Sequence, residues 1–223
     1  MHSQQNNKHM PGLLKKRFQD LWRRCLPASS SFAMEAVYCD LLRRYSNTGR
    51  YYHNLDHVFH CLNQLDLASQ VIPHPEAVEM ALWFHDAVYV PGNADNEQKS
   101  AELFLHNAAA CFSGDFKNKV KNLILVTTHK DIPKDEDECF IVDIDLSSFG
   151  SDWSDFLTDT GNLRKEQPDI SDQAYCQAHA RFLNSLLARK RIFQTDFFYV
   201  RYEQIAIQNI TCLLAEPKSQ GYD

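Results

Sequence analysis

Glycine (7) and proline (8) are scarce in this chain of 223 residues, which argues against a loop-rich β architecture with its frequent special turns. Seven cysteines, Cys25, Cys39, Cys61, Cys111, Cys139, Cys176 and Cys212, are odd in number and widely spaced, with no Cys-x-x-Cys pair. Neither a disulfide framework nor a thiolate zinc site is indicated, and the thiols read as reduced and mostly packed, as in a cytosol. Positive charge is also short: the formal net charge is -6, so no basic face is available to a nucleic-acid duplex, and a small anionic substrate would need local cations. No apolar run approaches ~18 residues, and the polar first ten residues lack the apolar core of a signal peptide, so no membrane partner is expected and the location reads as cytoplasmic. Repeats, low-complexity tracts and linkers are absent.

What is present is helical periodicity over a hydrophobic content of 44%, enough for one sizeable core. Leu13, Leu14, Phe18, Leu21, Trp22 and Cys25 recur at three- and four-residue intervals and predict a helix from Pro11, with Lys15, Lys16, Arg17, Arg23 and Arg24 on a solvated outer face. Further helices are expected over 32–45, from the Tyr51-Tyr52-His53 entry through Leu67, over 76–89, from a cap at Asn93 or Asp95 to about Cys111, and over 115–129. Others follow over 139–147, 152–167, 171–190 and 195–215. The helix over 76–89 is apolar nearly all round and is expected at the centre. No segment sustains strand alternation, so the class is all-α: a single domain over 11–216 of about nine or ten helices, with a disordered segment 1–10 and a flexible tail 217–223.

Polar residues inside this apolar pattern mark the site. His53 and His57 are four apart, which on a helix puts them on one face. His85 and Asp86 are adjacent, about 100° apart around a helix. Asp145, or its neighbour Asp143, is a carboxylate in an apolar stretch, where a bound cation would offset its desolvation. Imidazoles and carboxylates together suit Mn²⁺, Fe²⁺, Ni²⁺, Zn²⁺ or Mg²⁺. The isolated histidines His60, His74, His106 and His179 read as satisfied surface or core residues.

The runs Tyr52-His53-Asn54-Leu55-Asp56-His57, Trp83-Phe84-His85-Asp86-Ala87-Val88-Tyr89, Asp95-Asn96-Glu97 with Ser100-Ala101, Thr128-His129 and Asp143-Ile144-Asp145-Leu146 together resemble the HD-domain metal-dependent phosphohydrolases. The match is closest to a small bacterial subgroup described as predicted metal-dependent HD phosphohydrolases, and it spans about residues 12 to 214. The resemblance implies an HD-type helical bundle in which His57, His85, Asp86 and Asp145 ligate the divalent ion. His57 is preferred to His53 because the ligands of the family sit in a register beginning there. The Tyr-His-Asn-x-x-His run is also similar to one in cyclic-nucleotide phosphodiesterases, which implies His53 as the general acid. Glu97 would orient the water or hold His57, and His129 would bind phosphate or a second metal. Arg164 stands where the subgroup carries an Arg-x-Glu-Tyr run, here with Glu166 kept and Gln167 in the aromatic position. Its guanidinium would bind phosphate, or else form an ion pair between helices.

The implied activity is hydrolysis of a phosphomonoester or phosphodiester of a nucleotide or similar small metabolite by an ion-activated water. The alternative is a catalytically idle metal- and nucleotide-binding sensor or scaffold, and a di-iron oxygenase on a similar bundle ranks last. The expected partner is a small phosphorylated substrate, and a homodimer is left open.

Overall fold

Helix formers dominate between the sparse Gly and Pro positions, so apolar faces rather than turns organise the chain. The computed structural model describes residues 10–26, 34–109 and 111–216. Among them are ten α-helices and one 3-10 turn. They are α1 (Met10–Cys25), α2 (Met34–Tyr45), α3 (Leu55–Ala68), α4 (Pro75–Phe84), α5 (Asn96–Ala108), α6 (Gly114–Val126), α7 (Glu136–Leu146), the 3-10 turn Ser147–Gly150, α8 (Trp153–Lys165), α9 (Asp172–Leu187) and α10 (Asp196–Ala215). The all-α expectation holds. Apart from Met10, which begins α1, the expected disordered segment 1–10 and the tail 217–223 lie outside the described residues, as do Phe32 and Ala33 at the expected start of α2.

The all-round apolar helix is central, as its pattern requires. Every residue of α4 from Ala77 to Phe84 is buried, and the helix packs against α1, α3, α5, α6 and α7. Phe18 and Trp22 of α1 insert here, Phe18 lying edge-on to Trp83 at 5.2 Å between ring centres and Trp22 meeting Phe112 at 4.7 Å. Such aromatic pairs add about 0.5–1.5 kcal/mol each to the area they bury.

On the basic side of α1, Lys16, Arg23 and Arg24 are exposed as expected, while Arg17 is partly buried. Arg17 forks onto Asp66 at 2.7 Å through both terminal nitrogens and donates through Nε to Glu79 at 2.7 Å, and Arg24 reaches the same Glu79 at 3.5 Å. Glu79 is a buried carboxylate within the run of α4 from Ala77 to Phe84, which is otherwise apolar, and an unpaired charge there would be costly to desolvate. The arginines therefore fasten α1 to the central helix.

Ser147–Gly150 turns the chain from α7 towards α8 and packs closely on α10. A Cβ at Gly150 would lie 2.5 Å from Cβ of Tyr202 and 2.8 Å from its ring, so glycine is needed for the close approach. Gly150→Ala is expected to cost about 1–3 kcal/mol by forcing Tyr202 off its position. Urea denaturation measures this, and wild-type stability in the variant would contradict the packing described.

Candidate metal centre

Three segments converge beside the end of α4. Asn54 caps α3, its side-chain oxygen accepting from the backbone N–H groups of Asp56 (2.8 Å) and His57 (3.3 Å). His57 thus lies in the first turn of α3 and His53 before it, so the two do not share the helix face expected of them. The cap at Asn54 decides that boundary. The regular helix α4 likewise stops at Phe84 instead of running to Tyr89, with His85 as its C-terminal cap residue and Asp86 in the turn beyond.

Side chains hold that turn open by taking the carbonyls a longer helix would use. Arg50 donates to the carbonyls of Asp86 (2.6 Å), Ala87 (3.1 Å) and His53 (2.9 Å), and Tyr45 donates to that of Trp83 at 3.2 Å. Val88 exchanges hydrogen bonds with Ser100, its N–H donating to Oγ at 3.0 Å and its carbonyl accepting at 3.3 Å. Asp145 arrives from the last turn of α7.

At the meeting point Nε2 of His57 lies 3.2 Å from Nε2 of His85, 3.2 Å from Oδ1 of Asp145 and 3.5 Å from Oδ2 of Asp86. Nε2 of His85 lies 3.0 Å from the same Asp86 oxygen and 3.6 Å from the same Asp145 oxygen. The other ring nitrogen of His85, Nδ1, donates to the carbonyl of Leu82 at 2.9 Å. This places the ring proton at Nδ1 and turns the Nε2 lone pair inward. Neighbouring donors around one ion, each about 2.0–2.2 Å from it, are separated by about 3.0–3.5 Å. The measured spacings match, so the residues present fit a divalent ion held by two imidazoles and two carboxylates.

The charges balance only with something positive among them. Burial opposes ionisation of Asp86, yet the adjacent His85 and His53 hold its carboxyl below the ordinary carboxylate range. Asp145 is likewise held low against burial by hydrogen bonds from His129, His57 and His85. Burial would strip His85 of its proton, but Asp86 and Asp145 raise its pKa well above the ordinary histidine value. Without an ion, a proton on His85 occupies the charge position that a cation would take.

His57, Cys61, His85 and Asp145 each offer one ligand-type atom within 4.8 Å of the others, a group that could hold a metal ion. Cys61 was read from the sequence as a packed thiol, although its i+4 spacing from His57 puts it on the same face of α3. Its Sγ lies 3.7 Å from Nε2 and 3.9 Å from Nδ1 of His57, nearly equidistant. A ligand sharing an ion on the Nε2 lone pair would stand about 1 Å further from Nδ1. Cys61 therefore packs against the imidazole, and burial, with Asp145 and Asp86 nearby, keeps its thiol protonated.

Of the remaining residues singled out from sequence, His53 and Glu97 flank the centre. Nδ1 of His53 contacts Oε2 of Glu166 at 2.5 Å, and Oε1 of Glu166 accepts from the backbone N–H groups of Tyr52 (2.7 Å) and His53 (2.9 Å). The imidazole stacks on Tyr89 at 4.2 Å. Burial lowers its pKa, but Asp86 and Glu166 more than offset this and the net shift is upward. Glu97 is half-buried, and burial, with Asp86 and Asp145 adding to it, raises its carboxyl. Among the described residues no hydrogen bond joins Glu97 to His57.

His129 lies between the centre and a cavity beyond it. Its Nε2 contacts the second oxygen of Asp145 at 2.9 Å, which leaves Oδ1 for His57 and His85, so His129 positions Asp145. The residue adopts a left-handed backbone (φ 56°) at the end of α6, rare outside glycine. Arg164 is not brought to the centre at all. It donates to Asp172 at 2.7 Å, to the carbonyl of Ile170 at 3.0 Å and to that of Gln167, and lies over Tyr175. The ion-pair reading holds for it, and Glu166, two positions on, is the residue that reaches the site. Asp143 resolves equally clearly: it points to the opposite side of α7, accepting from the N–H groups of Gln194 and Thr195 and the Thr195 hydroxyl, each at 2.7 Å.

Sequence reasoning missed the roles of Arg50 and Glu166, whose partners at the site lie far along the chain. His60 and His74 are satisfied as expected, by Ser147 (2.8 Å) and Asp137 (2.8 Å). No protein-family model matches the chain, and neither does any curated protein or solved structure. Among the described residues no helix is long and apolar enough to cross a membrane.

Two outcomes follow from this geometry. Asp145→Ala should abolish binding of a divalent ion while the chain stays folded, whereas Asp143→Ala should retain the ion and lose about 2–4 kcal/mol by orphaning three donors. Metal content and urea denaturation on both variants separate them. Because a raised His85 must lose its proton to bind an ion, apparent metal affinity should climb by about tenfold per pH unit above pH ~6.5, until the raised pKa is passed. Calorimetric titration across pH measures the slope, and a flat profile would remove His85 from the ligand set.

Proposed function

We propose that the chain is a metal-dependent phosphohydrolase of the HD type, cleaving a phosphomonoester or phosphodiester of a nucleotide or similar small metabolite. The observation that carries this reading is the convergence of two imidazole nitrogens and two carboxylate oxygens at spacings of 3.0–3.6 Å. A divalent ion held by His57, His85, Asp86 and Asp145 supplies activation of water and neutralisation of phosphoryl charge.

The residues around that set are suited to proton movement. His53 is protonated more readily than an ordinary histidine, and with Nδ1 held by Glu166 its Nε2 carries the proton that a leaving oxygen would take. Tyr89 fixes the plane of the ring. Glu97, half-buried and with its carboxyl raised by burial and by Asp86 and Asp145, is the candidate for orienting the water. A net charge of -6 favours a small substrate over a nucleic-acid duplex.

A panel of nucleotides and generic phosphoesters with Mn²⁺ tests the reading. His53→Gln should lower kcat by about 10²–10⁴ with the metal retained. Glu166→Gln should lower the pKa of His53, so the alkaline fall of kcat begins at lower pH than in the wild type. Tight nucleotide binding with no turnover in the wild type would favour the idle sensor, and turnover unaffected by His85→Ala would refute the assignment.

A further inference from the structure

A cavity of about 450 Å³ opens on the far side of His129 between the loop after α6 and the loop joining α9 to α10. Its walls carry four basic residues, Lys130, Arg189, Lys190 and Arg191, against one acid, Asp131. On a chain of net charge -6 this local excess of positive charge is unexpected.

The basic residues are mostly unsatisfied. Among the described residues, Arg191 pairs with Asp196 at 2.6 Å, while Lys130, Arg189 and Lys190 form no salt bridge. Arg189 is half-buried and donates to the carbonyl of His129 at 2.9 Å, so part of its guanidinium is committed to a neutral acceptor. Desolvation lowers its pKa, and the Asp143 carboxylate offsets this only in part.

The wall holding these residues is rigidly built. Buried Glu203 accepts from the backbone N–H groups of Ile192 (3.0 Å) and Phe193 (3.0 Å), and buried Asp143 takes those of Gln194 and Thr195. Two carboxylates thus clamp four successive N–H groups of the loop after Arg191. Ordering the wall in advance reduces what a ligand must organise on binding.

We propose that this pocket binds a phosphate-type polyanion through Lys130, Arg189 and Lys190, separately from the metal centre. Arginine and lysine together give the forked and point-charge donors that phosphate oxygens accept. The pocket shares a wall with the centre. His129 touches Asp145, and Lys130 lies near enough to Glu97 to draw its carboxyl downward. The anion is either the distal phosphate of a substrate whose scissile phosphate lies at the metal centre or a free phosphate compound. The binding claim stands without the hydrolytic reading, and only assignment to a substrate rests on it.

Calorimetric titration of the full chain with inorganic pyrophosphate, in chelator and at low salt, is the test. Binding is expected without metal, weakened about threefold by Lys190→Gln, whose exposed side chain makes no contact the fold needs, and about tenfold or more by Arg189→Gln with Lys190→Gln. Absence of binding, binding abolished by the chelator, or equal affinity in wild type and both variants would overturn the proposal. If substrates with a second phosphate show a lower KM that the double variant erases, the anion is the distal group of the substrate. If pyrophosphate binds as expected and KM does not distinguish such substrates, it is a free phosphate compound. Failure of all turnover leaves the chelator titration intact, so the two readings fail separately.

Discussion

Four oxygen and nitrogen atoms with lone pairs, facing one another at little more than van der Waals distance in a buried setting, are stable only around positive charge. That constraint governs the centre. It explains the proton retained on His85 and the depressed carboxyls of Asp86 and Asp145. Three of the four participants are also held from behind: His85 by the carbonyl of Leu82, Asp145 by His129, and the Asp86 turn by Arg50.

The supports differ in how far they could be read from the sequence. Helices were visible because apolar residues recur with helical period, and the centrality of α4 followed from its lack of a polar face. The candidate ligands stood out as polar residues in apolar surroundings. Their disposition was less visible. Extending α4 to Tyr89 was reasonable from periodicity, but Arg50, 36 positions before Asp86, captures the carbonyls and ends the helix early. Likewise, periodicity alone cannot choose between Asp143 and Asp145, which sit on opposite sides of α7. The choice is made by Gln194 and Thr195 on one side and by His57 and His85 on the other. Arg164 attracted notice by residue type, while Glu166 acts by position, and nothing local distinguishes the two.

The same acidic chain therefore uses its carboxylates in three unlike ways. Asp86 and Asp145 face inward and gather positive charge. Asp143, Glu203 and Glu166 gather backbone N–H groups and so shape loops. Glu79 fastens α1 through arginines. Buried carboxylates without a cation are thus common in this fold, and burial alone does not mark a ligand. What marks Asp86 and Asp145 is that their neighbours are imidazole nitrogens rather than backbone N–H groups or arginines.

The contact between His53 and Glu166 joins residues 113 positions apart. A ribosome delivers His57, His85 and Asp86 early, Asp145 next and Glu166 later still. During synthesis the ion-gathering residues can therefore be complete while the imidazole beside them is still unoriented. The order of emergence thus separates in time the delivery of the four residues that meet at the centre from the fastening of His53 beside them.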